Sequence, residues 1–273
     1  MSSEPRATLT VKGDLVAVVE FANGPRNTFT PELIWEITHA VEAASAAGAR
    51  SVVLSGRGRH FCAGIDLADA SLDSLAAVVA HDGHVYEAAL RLLTQPLPVI
   101  AAVQGAALGG GLGLAMICDR RIATPDSAFE ATFAKIAIHH GFGLSATLPR
   151  SVGHAHALDL LLTARRVRGD EALAIGLVDQ VVAADELPAA ALAYATLIAS
   201  MAPAVVQDMR RTLRGNLADQ VRVATQRERA AQARHRDHPD FREGLSAALE
   251  HRRPQFSVGA ADIRGSVSHD RSN

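Results

Sequence analysis

The sequence predicts an α/β protein wound from repeated strand–turn–helix units. Three observations carry that prediction. Two short apolar runs, "SVVLSG" and "LPVIAAVQG", have the length and composition of buried strands. Each runs into a turn rich in Gly and Ala that opens a helical stretch. A capped helix with apolar residues at helical spacing precedes the first of them.

In chain order, "ATLTVKGDLVAVVEF" alternates around Gly13-Asp14 and reads as a β-hairpin with its turn at residues 12–14. "TPELIWEITHAVEAASAAG" has Thr30 as N-cap, Pro31 at the first helical position and an apolar stripe up to Gly48. "SVVLSG" is a strand, "RGRHFCAGIDL" a turn into another helical stretch, and "LPVIAAVQG" the next strand. The run "ALGGGLGLAMICD" then opens a helix through about Cys118. "RRIATPDSAFEATF" gives two short strands across a turn at Pro125-Asp126. From about Gly153 the chain is mostly helical, with "DQVV" as one more strand and Pro203, Pro239 and Pro254 as punctuation. The polar tail "SVGAADIRGSVSHDRSN" is expected to be mobile.

Composition narrows the classes. The chain has 273 residues, 48 % of them apolar, which is enough for a substantial core. A net charge of -2 argues against nucleic acid or a membrane surface as a partner found by charge. Cys62 and Cys118 lie in apolar segments and read as small core residues rather than a disulfide framework. The opening "MSSEPRATLT" has no secretory pattern, and no uncharged apolar stretch approaches the roughly 20 residues that span a bilayer. A soluble, cytoplasmic protein is the expectation.

The two Gly/Ala turns admit three readings. Each presents backbone N–H groups that its helix leaves unused, at the positive end of the dipole. They can bind phosphate, although "GGGLG" lacks the Lys-Ser/Thr of a P-loop and the spacing of a dinucleotide fingerprint. They can converge as donors on a developing oxyanion. Or the glycines simply allow tight packing.

Taken together, "ARSVVLSGRGRHFCAGIDL" and "PLPVIAAVQGAALGGGLGLAMICDRRIA" resemble the signature of the crotonase (enoyl-CoA hydratase/isomerase) superfamily. "LLTARRVRGDEALAIGLVDQVV" is similar to that family's next segment, and "FREGLSAALEHRRPQF" to its C-terminal helix. The resemblance runs from about residue 8 to residue 256. It implies a crotonase spiral of ββα repeats: a core over residues 1–200, a helical trimerisation region over 201–256, and a flexible tail over 257–273.

The resemblance also implies a site. The backbone N–H groups of Ile65 and Gly110 would grip the thioester carbonyl of an acyl-CoA, with bare glycine at 109 and 110 allowing close approach. The backbone of residues 63–67 (Ala63, Gly64, Ile65, Asp66, Leu67) would bind the coenzyme A nucleotide, with Arg26 as a phosphate partner. In the C-terminal helix the family's aromatic slot holds Ala248, while His251, Arg252 and Arg253 keep its basic character. Coenzyme A enters as part of the substrate; no separate cofactor and no metal are implied. A homotrimer or dimer of trimers is the implied assembly.

Family hydratases activate water with two glutamates, at positions that here hold Gly113 and Phe133. Ordinary hydration therefore lacks its acid/base pair. Gly113 suggests added room beside the thioester for a bulky or branched acyl group. "AKIAIHHGFG" puts His139 and His140 on the loop where some relatives carry a catalytic aspartate, so His140 is either an acid/base or one of a solvated or locally hydrogen-bonded pair on a loop. Glu130 is the second candidate, or else a surface carboxylate. His81, His84, Tyr86 and Glu87 sit in the region that often closes the acyl pocket, and either enter it or face solvent. "GHAHA" and "HRDHPD" give no complete metal set. Arg165, Arg166 and Arg168 read as a solvated connector or an intersubunit contact.

Two functions follow from the resemblance. One is an acyl-CoA enzyme working through a thioester enolate, with isomerase, C–C hydrolase or other lyase chemistry favoured over hydration. The other is a non-catalytic acyl-CoA-binding protein of the same fold.

Overall fold

The computed structural model describes residues 6–13, 15–65 and 84–256. The predicted hairpin forms from β1 (Arg6–Lys12) and β2 (Val16–Ala22), paired antiparallel from Arg6↔Ala22 to Lys12↔Val16. Helix α1 (Pro31–Ala46) begins where the capping signal placed it, with the Thr30 hydroxyl accepting the Leu33 N–H at 3.2 Å. Strands β3 (Ser51–Gly56) and β4 (Val99–Val103) follow, separated in the described chain by helix α2 (His84–Thr94). Then come β5 (Ala106–Leu108), α3 (Gly110–Ile117), β6 (Arg120–Ala123) and β7 (Ala128–Glu130). A 3-10 turn over Thr132–Ile136 leads into α4 (Leu144–Thr163). The rest is β8 (Val167–Arg168), α5 (Gly169–Ala174), β9 (Gln180–Val181), α6 (Leu187–Ala199), α7 (Pro203–Arg214), α8 (Leu217–Arg236) and α9 (Pro239–Leu249).

Six strands form the main sheet in the order β1-β2-β3-β4-β6-β9, parallel from β2 onward. Its inner strands are buried on both faces, which is why they read as unbroken apolar runs. Val52, Leu54, Val99, Ala101 and Val103 enter the principal core, which α1 to α4 and α8 also fill. Val53, Ile100 and Ala102 point the other way, against Ala191, Ala195 and Ala199 of α6. Small residues on α6 let it lie close to the sheet, and the Ser51 hydroxyl donates to the Ala195 carbonyl at 2.8 Å. No single helix among the described residues is long and apolar enough to cross a membrane.

The second sheet has the order β5-β7-β8. The two short strands expected across Pro125-Asp126 both form, as β6 and β7, and they belong to different sheets. The turn between them is fixed by the buried Ser127, whose hydroxyl donates to the Val103 carbonyl at 2.7 Å and accepts the Thr124 N–H at 2.9 Å. Strand β5 was hidden because it spans only three residues between Gly105 and Gly109. The helix expected after "FCAGIDL" and the tail at 257–273 lie outside the described residues.

One contact ties the first Gly/Ala turn to the second. Cys62 forms an isolated parallel bridge with Ala107 of β5. The Cys62 N–H donates to the Ala106 carbonyl at 2.9 Å, and the Leu108 N–H donates to the Cys62 carbonyl at 3.0 Å. The approach is backbone to backbone: a Cβ on Gly111 would overlap the Cys62 carbonyl oxygen, and one on Gly64 would lie 3.0 Å from the Leu108 oxygen. Gly111→Ala should therefore force the turns apart and destabilise the fold by about 1–3 kcal/mol. Urea unfolding checks this; an unchanged midpoint would mean the turns are not tightly joined.

Candidate active site

Three residues beyond the bridged pair lie Ile65 in the first turn and Gly110 in the second. Gly64 reaches Ile65 through a left-handed φ of 80°, and Gly109 enters α3 with φ 53°. The Gly109 N–H is taken by the Glu130 carbonyl at 2.9 Å and the Gly113 N–H by the Gly109 carbonyl at 3.1 Å. The N–H groups of Ile65 and Gly110 have no acceptor among the described residues. Both residues line one cavity of about 180 Å³. Two unused donors, one of them in the first turn of a helix, suit an oxygen that carries or gains negative charge.

The rest of the cavity wall is mainly apolar: Phe29, Val85, Leu108, Phe133, Ile136, Ile138 and Phe142. Arg26 is exposed and also lines the cavity, and its carbonyl accepts the Ala63 N–H at 3.1 Å. Behind it, buried Asn27 pins the 57–60 turn by donating to the Arg57 and His60 carbonyls at 2.8 and 2.7 Å. Tyr86 and Gln232 supply polar atoms, but these are paired: the Tyr86 hydroxyl donates to Gln232 Oε1 at 2.8 Å, and Gln232 Nε2 donates to the His139 carbonyl at 3.0 Å. Burial, with Glu228 nearby, raises the Tyr86 pKa and keeps the phenol protonated. Burial likewise pushes the Cys62 thiol up to about 12, so it is no nucleophile at neutral pH.

Of the residues singled out from the sequence, Arg26, Ala63, Gly64, Ile65, Gly109, Gly110 and Phe133 meet at this cavity. Asp66, Leu67 and His81 lie outside the described residues, as does the side chain of His84. Tyr86 lines the cavity, whereas Glu87 is exposed.

Three expectations need correction. Gly113 does not open space beside the site. It is buried, it is not among the residues lining the cavity, and a Cβ there would stand 2.8 Å from Cβ and Cδ1 of Phe142. Glu130 is neither a surface carboxylate nor part of the cavity wall. Its side chain is 4 % exposed and is held by Lys135 at 2.6 Å and Arg166 at 2.8 Å. His140 is not among the residues lining the cavity either: its Nε2 makes a local contact with the Ser145 hydroxyl at 2.8 Å, and its ring meets the edge of Phe133, which does line it. The basic clusters are likewise occupied, Arg165 by Asp159 and Glu171, and Arg252 by Glu243 and Glu250.

Sequence reasoning missed Phe29, Phe142, Gln232 and Glu228. Phe142 stands inside "IHHGFG", beside the histidines that drew attention. Glu228 lies in the charged run "TQRERAAQARHR", which gives no sign that it is fully buried. Its two oxygens accept the Gly143 and Ser145 N–H groups at 2.8 and 2.9 Å and so cap α4. Helix α9 packs on its own chain, with Phe241 and Leu245 against Ile65, Phe133 and Ile136.

An α/β spiral that brings two free backbone donors to an apolar cavity defines a crotonase-type protein. A model of the family described as enoyl-CoA hydratase/isomerase matches residues 12–259, and the chain belongs to that family. It is 34 % identical over 247 residues to a protein of Bacillus subtilis named "Probable enoyl-CoA hydratase", covering 88 % of this chain and 95 % of that one. The fold is similar to the crystal structure of an enoyl-CoA hydratase/isomerase from Pseudoalteromonas atlantica (TM-score 0.82, 28 % identity, 92 % of this chain and 99 % of that one). An enoyl-CoA hydratase structure from Mycobacterium avium subsp. paratuberculosis aligns with TM-score 0.78 at 29 % identity, over 92 % of this chain and 98 % of that one.

Burial, reinforced by His139, lowers the His140 pKa from 6.5 to about 4. Glu228 Oε1 lies 4.0 Å away but is already committed to backbone N–H groups. Because the folded value is the lower one, the unfolded chain binds the extra proton between pH 6.5 and about 4. Stability is then undiminished by this group above pH 6.5 and falls as the pH drops toward 4. His140→Asn should flatten that acid limb by on the order of 1–3 kcal/mol. Urea midpoints measured across the range test it, and identical limbs would contradict it.

Proposed function

We propose that the chain acts on an acyl-CoA thioester, with the N–H groups of Ile65 and Gly110 holding the thioester oxygen as negative charge develops on it. The observation that carries this reading is the pair of unpaired donors on one apolar cavity. The relatives named enoyl-CoA hydratase support an enzyme of this class. Removing one such donor typically costs about 2.7–4 kcal/mol of transition-state stabilisation. The cavity mouth at Arg26 suits the phosphates of coenzyme A, which enters as part of the substrate with no separate cofactor. The assembly that goes with this reading is a homotrimer or a dimer of trimers, and exposed apolar side chains on α7, Val205, Met209 and Leu213 among them, offer a surface that subunit contact would cover.

Isomerisation, or lyase chemistry that needs no activated water, fits the cavity better than simple hydration, and C–C hydrolysis would need a base such as His140 from outside the described wall. The described lining holds no carboxylate and no imidazole to activate water. Enolate stabilisation needs only the two donors and a proton carrier. His140, next in sequence to cavity-lining Gly141, remains the imidazole to test in that role. The same scarcity of acid/base groups favours a second reading, a non-catalytic acyl-CoA-binding protein that uses the donors for affinity.

Turnover of 2-enoyl, 3-enoyl and cyclic β-keto acyl-CoAs separates these readings. The expected result is conversion of a 3-enoyl or β-keto thioester with slow hydration of crotonyl-CoA. Rapid crotonyl-CoA hydration would overturn the reaction preference, and tight binding without any turnover would select the second reading. Glu130→Gln should leave turnover unchanged and lower thermal stability, since it weakens an ion pair outside the cavity. A fall in kcat at constant KM for His140→Ala would place the imidazole in the reaction; an unchanged kcat would remove it.

A further inference from the structure

The "GGGLG" run has a second partner besides the first turn. A Cβ on Gly110 would lie 2.6–2.7 Å from three ring carbons of Phe29, and one on Gly113 would lie 2.8 Å from Phe142. Phe29 and Phe142 meet edge to face, with centroids 5.2 Å apart at 84°. The bare backbone of α3 is therefore a bed for two aromatic rings. Both rings line the cavity, and Phe133 adds a third.

Phe142 is held there against its own backbone preference. Its φ is 60°, a left-handed conformation that is an outlier for a bulky side chain. Such strain persists only where the surroundings over-determine it. The determinant is Glu228, whose fully buried carboxylate takes the N–H of Gly143, the very next residue, and that of Ser145.

We propose that Phe142 is the specificity-determining residue of the acyl cavity, with Glu228 as the residue that positions it. Their ligand is a compact apolar acyl group no larger than a benzene ring. This rests on the acyl-CoA reading above. The volume sets an upper bound: the cavity of about 180 Å³ also holds the thioester at Ile65 and Gly110, so the acyl group is no larger than the benzene that roughly 150 Å³ of apolar protein interior accepts. The aromatic walls favour flat or ring-bearing groups through edge contacts. The polar atoms of Tyr86 and Gln232 are spent on each other and on the His139 carbonyl, which leaves the Thr132 hydroxyl and the Arg26 guanidinium as the polar side-chain groups on the described wall without a partner there.

The test is calorimetric binding of acetyl-CoA, benzoyl-CoA and dodecanoyl-CoA to wild type, Phe142→Ala, Phe142→Leu and Glu228→Gln. Wild type should bind benzoyl-CoA more tightly than dodecanoyl-CoA. Phe142→Ala should shift that ratio toward the long chain by tenfold or more. Should the alanine variant fail to fold, Phe142→Leu carries the test, with a smaller shift in the same direction. Glu228→Gln should move the ratio in the same direction; a lower Tm with an unmoved ratio would reduce Glu228 to a purely structural cap and overturn that half. An unmoved ratio in a folded Phe142 variant that still binds acetyl-CoA would overturn the role of Phe142 alone. Failure of wild type to bind any thioester, acetyl-CoA included, would overturn the acyl-CoA reading itself.

Discussion

The bridge between Cys62 and Ala107 is the constraint on which the site depends. Two peptide hydrogen bonds join the turn that follows β3 to the short strand β5 that follows β4. They place Ile65 and Gly110 at matched distances beyond the bridge, so the donors are positioned by backbone alone. Backbone donors bring little conformational freedom and need no reorganisation when charge appears. What this geometry excludes is any side chain between the turns, and Gly64 and Gly111 meet that condition.

A second layer of constraint gives the cavity its character. The same glycine-rich helix that offers the Gly110 N–H also lies bare beneath Phe29 and Phe142. Donor and apolar wall are thus two consequences of one helix without side chains on one face. The cost is carried elsewhere, in a left-handed phenylalanine and a buried carboxylate that caps α4. A carboxylate out of water is tolerated only when its oxygens are satisfied, and here two backbone N–H groups do so.

The hairpin, α1 with its Thr30 cap, both inner strands and both Gly/Ala turns were legible because each rests on local spacing and turn chemistry. Gly110 and Ile65 could be singled out in those turns only through the resemblance to the crotonase family, since turn chemistry alone leaves phosphate binding, oxyanion binding and tight packing open. The reason for Gly113 was not legible: it is Phe142, brought to it by the packing of α3 against α4. Residue type marked His140 and Glu130 as acid/base candidates, but their surroundings are set by partners that residue type does not reveal, Ser145 for one and Lys135 with Arg166 for the other. Glu228 was the least visible of all, because a buried carboxylate and a solvated one leave the same mark in an arginine-rich helix. The sheet membership of β6 and β7 was not legible either, because it turns on the contact of Ser127 with Val103.

The claim that Ile65 and Gly110 together hold a thioester oxygen is open to direct observation. Difference infrared spectroscopy of acetyl-CoA carrying an isotope-labelled thioester carbonyl, bound to the protein, reports the polarisation of that bond. Two convergent N–H donors should lower the carbonyl stretching frequency below its value in water, and Ile65→Pro, which removes one donor, should reverse part of the shift. A bound thioester whose carbonyl frequency matches that of the free ligand, in wild type and variant alike, would contradict the account.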